Sequence, residues 1–160
     1  MLLTHSCHLV EYLREKFETM NTLKQVNSVL LSTDIDHLWD ILTIPEWTEK
    51  YMFNSQIISD LTVGSSCDWK GSYDGQEFTL IGTVLEVEPK SLFKYTIVDP
   101  NLFDANDPNN YVHVTYEIRE QGEGLLLTVV SEIFDGNEAR MKEIVDGWKG
   151  MIFPAIEGLL

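Results

Sequence analysis

The C-terminal segment restricts the fold more than any other part of the chain, because an amphipathic helix is predicted there after a series of strands. Its apolar residues step by three, one, three, three, one, three and four, which is one face of a helix of about five turns. These residues are Met141, Ile144, Val145, Trp148, Met151, Ile152, Ala155 and Leu159. The segment Asp135–Asn137 supplies a cap. Pro154 has no N–H to donate, which predicts a kink near Gly150.

The middle of the chain predicts antiparallel strands. They cover Lys24–Ser32, Ile57–Ile58, 65–73, Phe78–Val87, Leu92–Val98, Tyr111–Arg119 and Leu125–Phe134. The dipeptide Asp74–Gly75 is typical of a tight hairpin, and Gly82 predicts a bulge or a close backbone approach. Because tight turns without helices join these strands, they pair antiparallel.

Two short helices are predicted after the first strand. Thr33–Asp34 is a helix cap before the helix Asp34–Thr43, and Pro45 begins a second helix that ends at Tyr51. A sheet of about six or seven strands must cover its apolar face, and the long terminal helix is the element available. We therefore predict an α+β, helix-grip fold with an internal cavity, formed by a single domain at 21–160 with a short extension at 1–20.

Five segments in order carry a resemblance to a known family. They are VNSVLLS, HLWDILTIPEWTEKYM, VGSSCDWKG, GTVLEVEPKSLFKYTI and GWKGMIFPAIEGLL. Over roughly 24–160 the chain resembles the branch of the START-like (SRPBCC) superfamily that is named for activators of the heat-shock-protein-90 ATPase. The superfamily includes lipid-transfer domains, polyketide cyclases and the birch-pollen allergen. The resemblance implies a helix-grip fold and a cavity for an apolar ligand, and it implies no reaction. Pro154 departs from the family's uninterrupted helix.

Aromatic residues from separate elements are the candidate ligand contacts. Apolar pockets with a few polar groups are the usual form of small-molecule sites. The candidates are Trp39, Trp47, Tyr51, Trp69, Tyr73, Phe78, Tyr95, Tyr116, Trp148, Met151 and Ile152. The alternative is that these side chains only fill the core.

His113 is the one candidate for acid or base chemistry. Strand alternation places it opposite Val112 and Val114, so it faces either the cavity or solvent. A catalytic histidine needs a positioned partner, and Glu117 is about 13 Å away by strand rise. Known nucleophile and phosphate-binding motifs are absent. The segment Asp104–Asn109 fails as a calcium loop, because it lacks the required glycine and bidentate glutamate. Neither a metal nor a cofactor is expected.

The charge excludes some partners. The net charge of −15 argues against nucleic-acid binding and against docking on anionic membranes. A membrane-spanning run of apolar residues is absent. Two distant cysteines, Cys7 and Cys67, indicate a reducing, cytoplasmic location.

The N-terminal segment has two interpretations. Val10, Leu13, Phe17 and Met20 form a weak helical stripe. The segment is either a short helix that packs on the domain or on a partner, or an upstream extension with Met20 as the biological start.

Three functions follow from these observations. The first is non-enzymatic binding of a small hydrophobic or amphipathic molecule, such as a lipid or an aromatic metabolite. The second is a polyketide cyclase or dehydratase that uses the same cavity, with His113 as its acid or base. The third, a co-chaperone of heat-shock protein 90, is the least favoured. The sequence does not decide whether the protein forms a homodimer.

Overall fold

The structure, a computed structural model, describes the backbone of residues 2–160 and the side chains of residues 7–16 and 21–160. Its strands are β1 Leu23–Leu31, β2 Ser55–Ile58, β3 Asp68–Tyr73, β4 Gln76–Leu80, β5 Val84–Glu88, β6 Leu92–Ile97, β7 Val112–Gln121 and β8 Gly124–Ile133. They form a five-stranded sheet in the order β1-β8-β7-β6-β5 and a three-stranded sheet in the order β2-β3-β4. The strand pairs of both sheets are antiparallel, as predicted.

The helices follow the first and the last strand as predicted, except that the second short helix ends at Thr48 and not at Tyr51. They are α1 Leu2–Asn21, α2 Ile35–Thr43, α3 Pro45–Thr48, α4 Glu138–Gly147 and α5 Phe153–Glu157, with a 3₁₀ turn at Pro108–Asn110. The Asp34 carboxylate caps α2 by accepting the His37 N–H at 2.8 Å, and the Asn137 side chain caps α4 through the Arg140 N–H at 3.0 Å. The α+β, helix-grip prediction is confirmed.

The predicted strand Phe78–Val87 is divided in two at Gly82. The residues before Gly82 form β4 in the small sheet, and those after it form β5 in the large sheet. A Cβ on Gly82 would lie 1.7 Å from the Thr96 carbonyl oxygen, so the predicted close approach is confirmed. The chain thus changes sheet at Gly82, because only a residue without a side chain passes so close to β6.

The C-terminal helix contains an irregular turn instead of running unbroken. A π-helical segment, Trp148–Ile152, separates α4 from α5, and the Phe153 N–H donates to the Trp148 carbonyl five residues back. Pro154 follows at once and cannot donate to an α-helical partner, which is the physical reason for an irregularity centred on Gly150. The π turn keeps Trp148, Ile152, Phe153 and Ile156 buried.

The N-terminal helix α1 exposes those apolar residues whose side chains are described. Val10 and Leu13, which the sequence places on one stripe, are both more than half exposed, so they do not pack on the rest of the chain. The side chains of Phe17 and Met20 lie outside the described residues. Within 2–160, the helices are too short or too polar to cross a membrane.

Candidate functional site

A cavity of about 270 Å³ lies between the two sheets and the C-terminal helix. Its lining comes from the residues after α3, from β2, β4, β6 and β7, and from α4 and the π turn. The lining residues are Met52, Phe53, Ser55, Phe78, Leu80, Tyr95, Ile97, Val112, Val114, Glu143, Ile144, Gly147, Trp148 and Ile152. Most of these side chains are apolar, so the cavity suits an apolar guest.

Beside the cavity, a cluster of aromatic rings joins the sheet to the helix. The Tyr95 and Tyr116 hydroxyls lie 2.6 Å apart, and both side chains are almost completely buried. The Tyr116 ring meets the Trp148 ring edge-on with centroids 5.7 Å apart. Burial raises the pKa of both tyrosines well above 10, so both stay neutral at physiological pH.

The exposed residues of the cavity lining, Phe53 and Glu143, lie after α3 and on α4, which places the mouth of the cavity between these two elements. Phe53 and Asn54 have positive φ values of 51° and 58°, which few residues without a short polar side chain adopt. The Ser55 N–H and hydroxyl both donate to the Met52 carbonyl and hold this turn. A Cβ on Gly147 would lie 4.0 Å from Phe53 Cζ, so Phe53 and Gly147 face each other.

The structure brings four of the eleven predicted ligand-contact residues to the cavity wall. Phe78 comes from β4, Tyr95 from β6, and Trp148 and Ile152 from the π turn. Their role in binding a ligand stays a prediction. Strand alternation and helical spacing place these four side chains on the inward faces of their elements.

Three further predicted residues are buried in the core and do not line the cavity. Tyr116 lies beside Tyr95, and the Trp69 ring packs against Tyr95 with centroids 5.6 Å apart. The Tyr51 hydroxyl donates to the Leu42 carbonyl at 3.3 Å. For these three the alternative interpretation, that aromatics fill the core, describes their place in the structure.

The remaining four predicted residues lie away from the cavity. Tyr73 is 75% exposed beside the β3–β4 turn, and Met151 is 57% exposed on the outer side of the π turn. The Trp47 ring contacts the His37 ring, with Lys50 Nζ 4.2 Å from its centroid. Trp39 is partly buried on α2 and is not part of the cavity lining.

Most of the lining was not predicted from the sequence. The missed residues are Met52, Phe53, Ser55, Leu80, Ile97, Val112, Val114, Glu143, Ile144 and Gly147. Two signals could have found part of this set. Ile97 lies two residues after Tyr95 on the same strand face, and Ile144 lies four residues before Trp148 on the same helix face.

His113 does not face the cavity. Val112 and Val114 line the cavity, and His113 lies on the opposite face of β7, in a shallow depression shared with Thr96, Pro108 and Tyr111. Its ring packs edge-on against Phe134 with centroids 4.7 Å apart. The cyclase hypothesis placed its acid or base at His113, and this position is separated from the cavity by the sheet.

We expect His113 to make stability depend on pH. Partial burial lowers its pKa below 6.5, Lys94 lowers it further, and Glu132, its partner on β8, opposes this. The unfolded chain therefore binds a proton more readily, so the free energy of unfolding falls as pH drops below about 6.5. Urea titrations at several pH values between 7.5 and 5 measure this fall, and it should be smaller in His113→Gln. An equal fall in both proteins would contradict the assignment.

The described residues offer no metal site and one buried thiol. No group of three or more potential ligands from histidine, cysteine, aspartate or glutamate lies close enough to hold a metal ion within the described part of the chain. Burial and the neighbouring Asp68 charge raise the pKa of the Cys67 thiol to about 12. Cys67 is therefore a protonated core residue and not a nucleophile at neutral pH.

Comparison with solved structures finds several similar proteins. ChR145 from Cytophaga hutchinsonii is 26% identical, with a TM-score of 0.71 over 86% of this chain and 93% of that chain. MLL2253 from Mesorhizobium loti is 24% identical, with a TM-score of 0.67 over 86% of this chain and 96% of that chain. CalU16 from Micromonospora echinospora is 17% identical, with a TM-score of 0.62 over 84% of this chain and 71% of that chain. MLL2253 and CalU16 share the fold of this chain.

Comparison with sequence families shows to which family the chain belongs. A search of curated proteins found no significant match. The family described as "Activator of Hsp90 ATPase homolog 1-like protein" matches residues 32–160, from the end of β1 through the C-terminal helix. The matched part contributes all of the cavity lining. The chain therefore belongs to the family of activator of Hsp90 ATPase homolog 1-like proteins.

Proposed function

We propose that the protein binds a small, mostly apolar molecule in the cavity between the sheets and the C-terminal helix, and that it does so without chemical change. The observation that carries this proposal is the cavity itself, about 270 Å³ with aromatic and aliphatic walls. Membership of this family supports ligand binding in general terms. Apolar surface that a guest covers on entry supplies the driving force.

The cavity volume favours one kind of guest. An apolar cavity of about 150 Å³ accepts benzene, and typical ligand pockets measure about 300–1,000 Å³. At about 270 Å³ this cavity suits a molecule with one or two aromatic rings better than a lipid with two acyl chains. Phe78, Tyr95 and Trp148 offer ring faces and edges that favour an aromatic guest.

The two other hypotheses have less support. A cyclase needs a group that transfers a proton within reach of the guest, and His113 lies on the far face of β7. Of the titratable residues in the lining, Tyr95 has a raised pKa that keeps it protonated near neutral pH, and Glu143 lies on the exposed part of the lining. The co-chaperone hypothesis stays a prediction, which an ATPase assay with heat-shock protein 90 and the purified protein tests directly.

Thermal denaturation with a panel of small molecules tests the proposal. The panel contains indole, naphthalene, 2-acetylnaphthalene, palmitate and dipalmitoylphosphatidylcholine. A guest at one hundred times its Kd stabilises the folded state by about 2.7 kcal/mol, which raises the Tm by about 5–10 °C in a chain of this size. We expect the bicyclic aromatics to give the largest rise and the phospholipid to give none.

Two measurements accompany the denaturation experiment. Mass spectrometry of the extracted guest should recover it unchanged, since the proposal includes no reaction. Tryptophan emission should respond in the wild type and respond less in Trp148→Phe, because Trp148 is the cavity's tryptophan. A flat response to every aromatic member of the panel would contradict the proposed function.

A further inference from the structure

Two tyrosine hydroxyls beside the cavity form a hydrogen bond with each other, and this bond uses only one of their two protons. Tyr95 and Tyr116 each carry one hydroxyl proton, and one of the two forms the 2.6 Å hydrogen bond between them. Among the described residues, neither hydroxyl has another hydrogen-bond partner. Tyr95 is 1% exposed and Tyr116 is fully buried, so bulk water does not satisfy the second proton. A buried donor without an acceptor destabilises the folded state.

The place of each tyrosine decides where the unused proton lies. Tyr95 lines the cavity, and Tyr116 does not. When Tyr95 donates to Tyr116, the second proton stays on Tyr116, away from the cavity and without an acceptor. When Tyr116 donates to Tyr95, the second proton lies on Tyr95, the member of the pair that lines the cavity. The second arrangement is favoured because it alone allows both protons to be bonded.

We infer that Tyr95 donates a hydrogen bond to an acceptor atom of the bound guest, with Tyr116 donating to Tyr95. This inference rests on the proposed function and narrows its ligand class to small aromatic molecules that carry a carbonyl or ether oxygen. Burial keeps both hydroxyls protonated, so the donor is present across the physiological pH range. The rest of the wall is mostly apolar, so this hydrogen bond would also orient the guest.

Two probes of the same outline test the inference. 2-Acetylnaphthalene carries a carbonyl oxygen, and 2-isopropenylnaphthalene replaces it with a methylene group. Calorimetric titration of both probes into the wild type, Tyr95→Phe and Tyr116→Phe gives the ratio of the two Kd values for each protein. Comparing ratios removes the different solvation of the two probes, because it is the same in every titration.

We expect Tyr95→Phe to weaken binding of the carbonyl probe, relative to its partner, by roughly three- to tenfold. Tyr116→Phe is the matched control. It loses the same hydrogen bond and the same number of atoms but leaves the Tyr95 proton in place, so its ratio should stay within about twofold of the wild type.

The outcomes separate the inference from the proposed function. If both probes bind and Tyr95→Phe leaves the ratio unchanged, the inference fails and the proposed function stands. Equal changes in the two variants would also overturn it, since the effect would then come from the broken pair. If neither probe binds the wild type, the proposed function fails and the inference with it.

Discussion

Replacing Gly147 by leucine should strongly weaken guest binding while leaving the protein folded. Gly147 ends α4 with helical dihedrals, φ −61° and ψ −47°, and lines the cavity. The atom nearest to a new Cβ is Phe53 Cζ at 4.0 Å, so the side chain has room to project toward Phe53 across the mouth. We expect the affinity for 2-acetylnaphthalene to fall at least about tenfold, because the leucine occupies volume that the guest needs.

The free energy of unfolding of Gly147→Leu should not fall together with its affinity. Glycine in a helix is less favourable than alanine by about 1 kcal/mol, and leucine is nearly as good a helix former as alanine. Gly150→Leu is the matched control, since Gly150 has nothing within 4 Å of a new Cβ and does not line the cavity. Calorimetry measures the affinity and urea denaturation measures the stability. Undiminished binding by Gly147→Leu would place the guest elsewhere.

Gly82→Ala should be among the most destabilising single substitutions in the chain. A Cβ there would lie 1.7 Å from the Thr96 carbonyl oxygen and 3.2 Å from the Cys67 carbonyl oxygen. Both obstacles are backbone atoms, and the Cys67 N–H donates to the Gly82 carbonyl at 2.9 Å. The strands on either side must therefore separate. We expect a loss of about 3 kcal/mol or more in the free energy of unfolding, measured in urea.

Gly150→Ala provides the comparison for this substitution. It makes the same chemical change at a position with open space and without a positive φ. Its stability should equal or slightly exceed that of the wild type, because alanine is the better helix former. A loss in Gly82→Ala that is no larger than in Gly150→Ala would show that β4 and β5 are not joined through a close approach to Thr96.

Local sequence signals account for most of the fold. The cap at Asp34, the proline that begins α3 and the hairpin at Asp74–Gly75, with φ values of 51° and 78°, were all predicted and are all present. Such signals act within a few residues, so a single sequence carries them. The change of sheet at Gly82 was not predicted, because the alternation of apolar residues continues through this position. Only the close approach of β6 separates β4 from β5.

The candidate site was predictable only in part. Phe78, Tyr95, Trp148 and Ile152 line the cavity, whereas Trp69, Tyr51 and Tyr116 fill the core beside it. Periodicity assigns both sets to inward faces, since a wall residue and a core residue are equally apolar and equally far from water at the level of one strand. Tyr73 was predicted to contact the ligand because it is aromatic, but it lies beside a hairpin turn and is exposed to solvent.

The sequence by itself determined the α+β class, the order of strands and helices, the turns and the family, because hydrophobic periods and turn chemistry are local properties of the chain. Only the tertiary structure decided that an open space of about 270 Å³ remains beneath the C-terminal helix, and which aromatic residues border it. That space depends on how closely two sheets and one helix approach each other. Those distances are set jointly by side chains far apart in the sequence, and no local pattern encodes them.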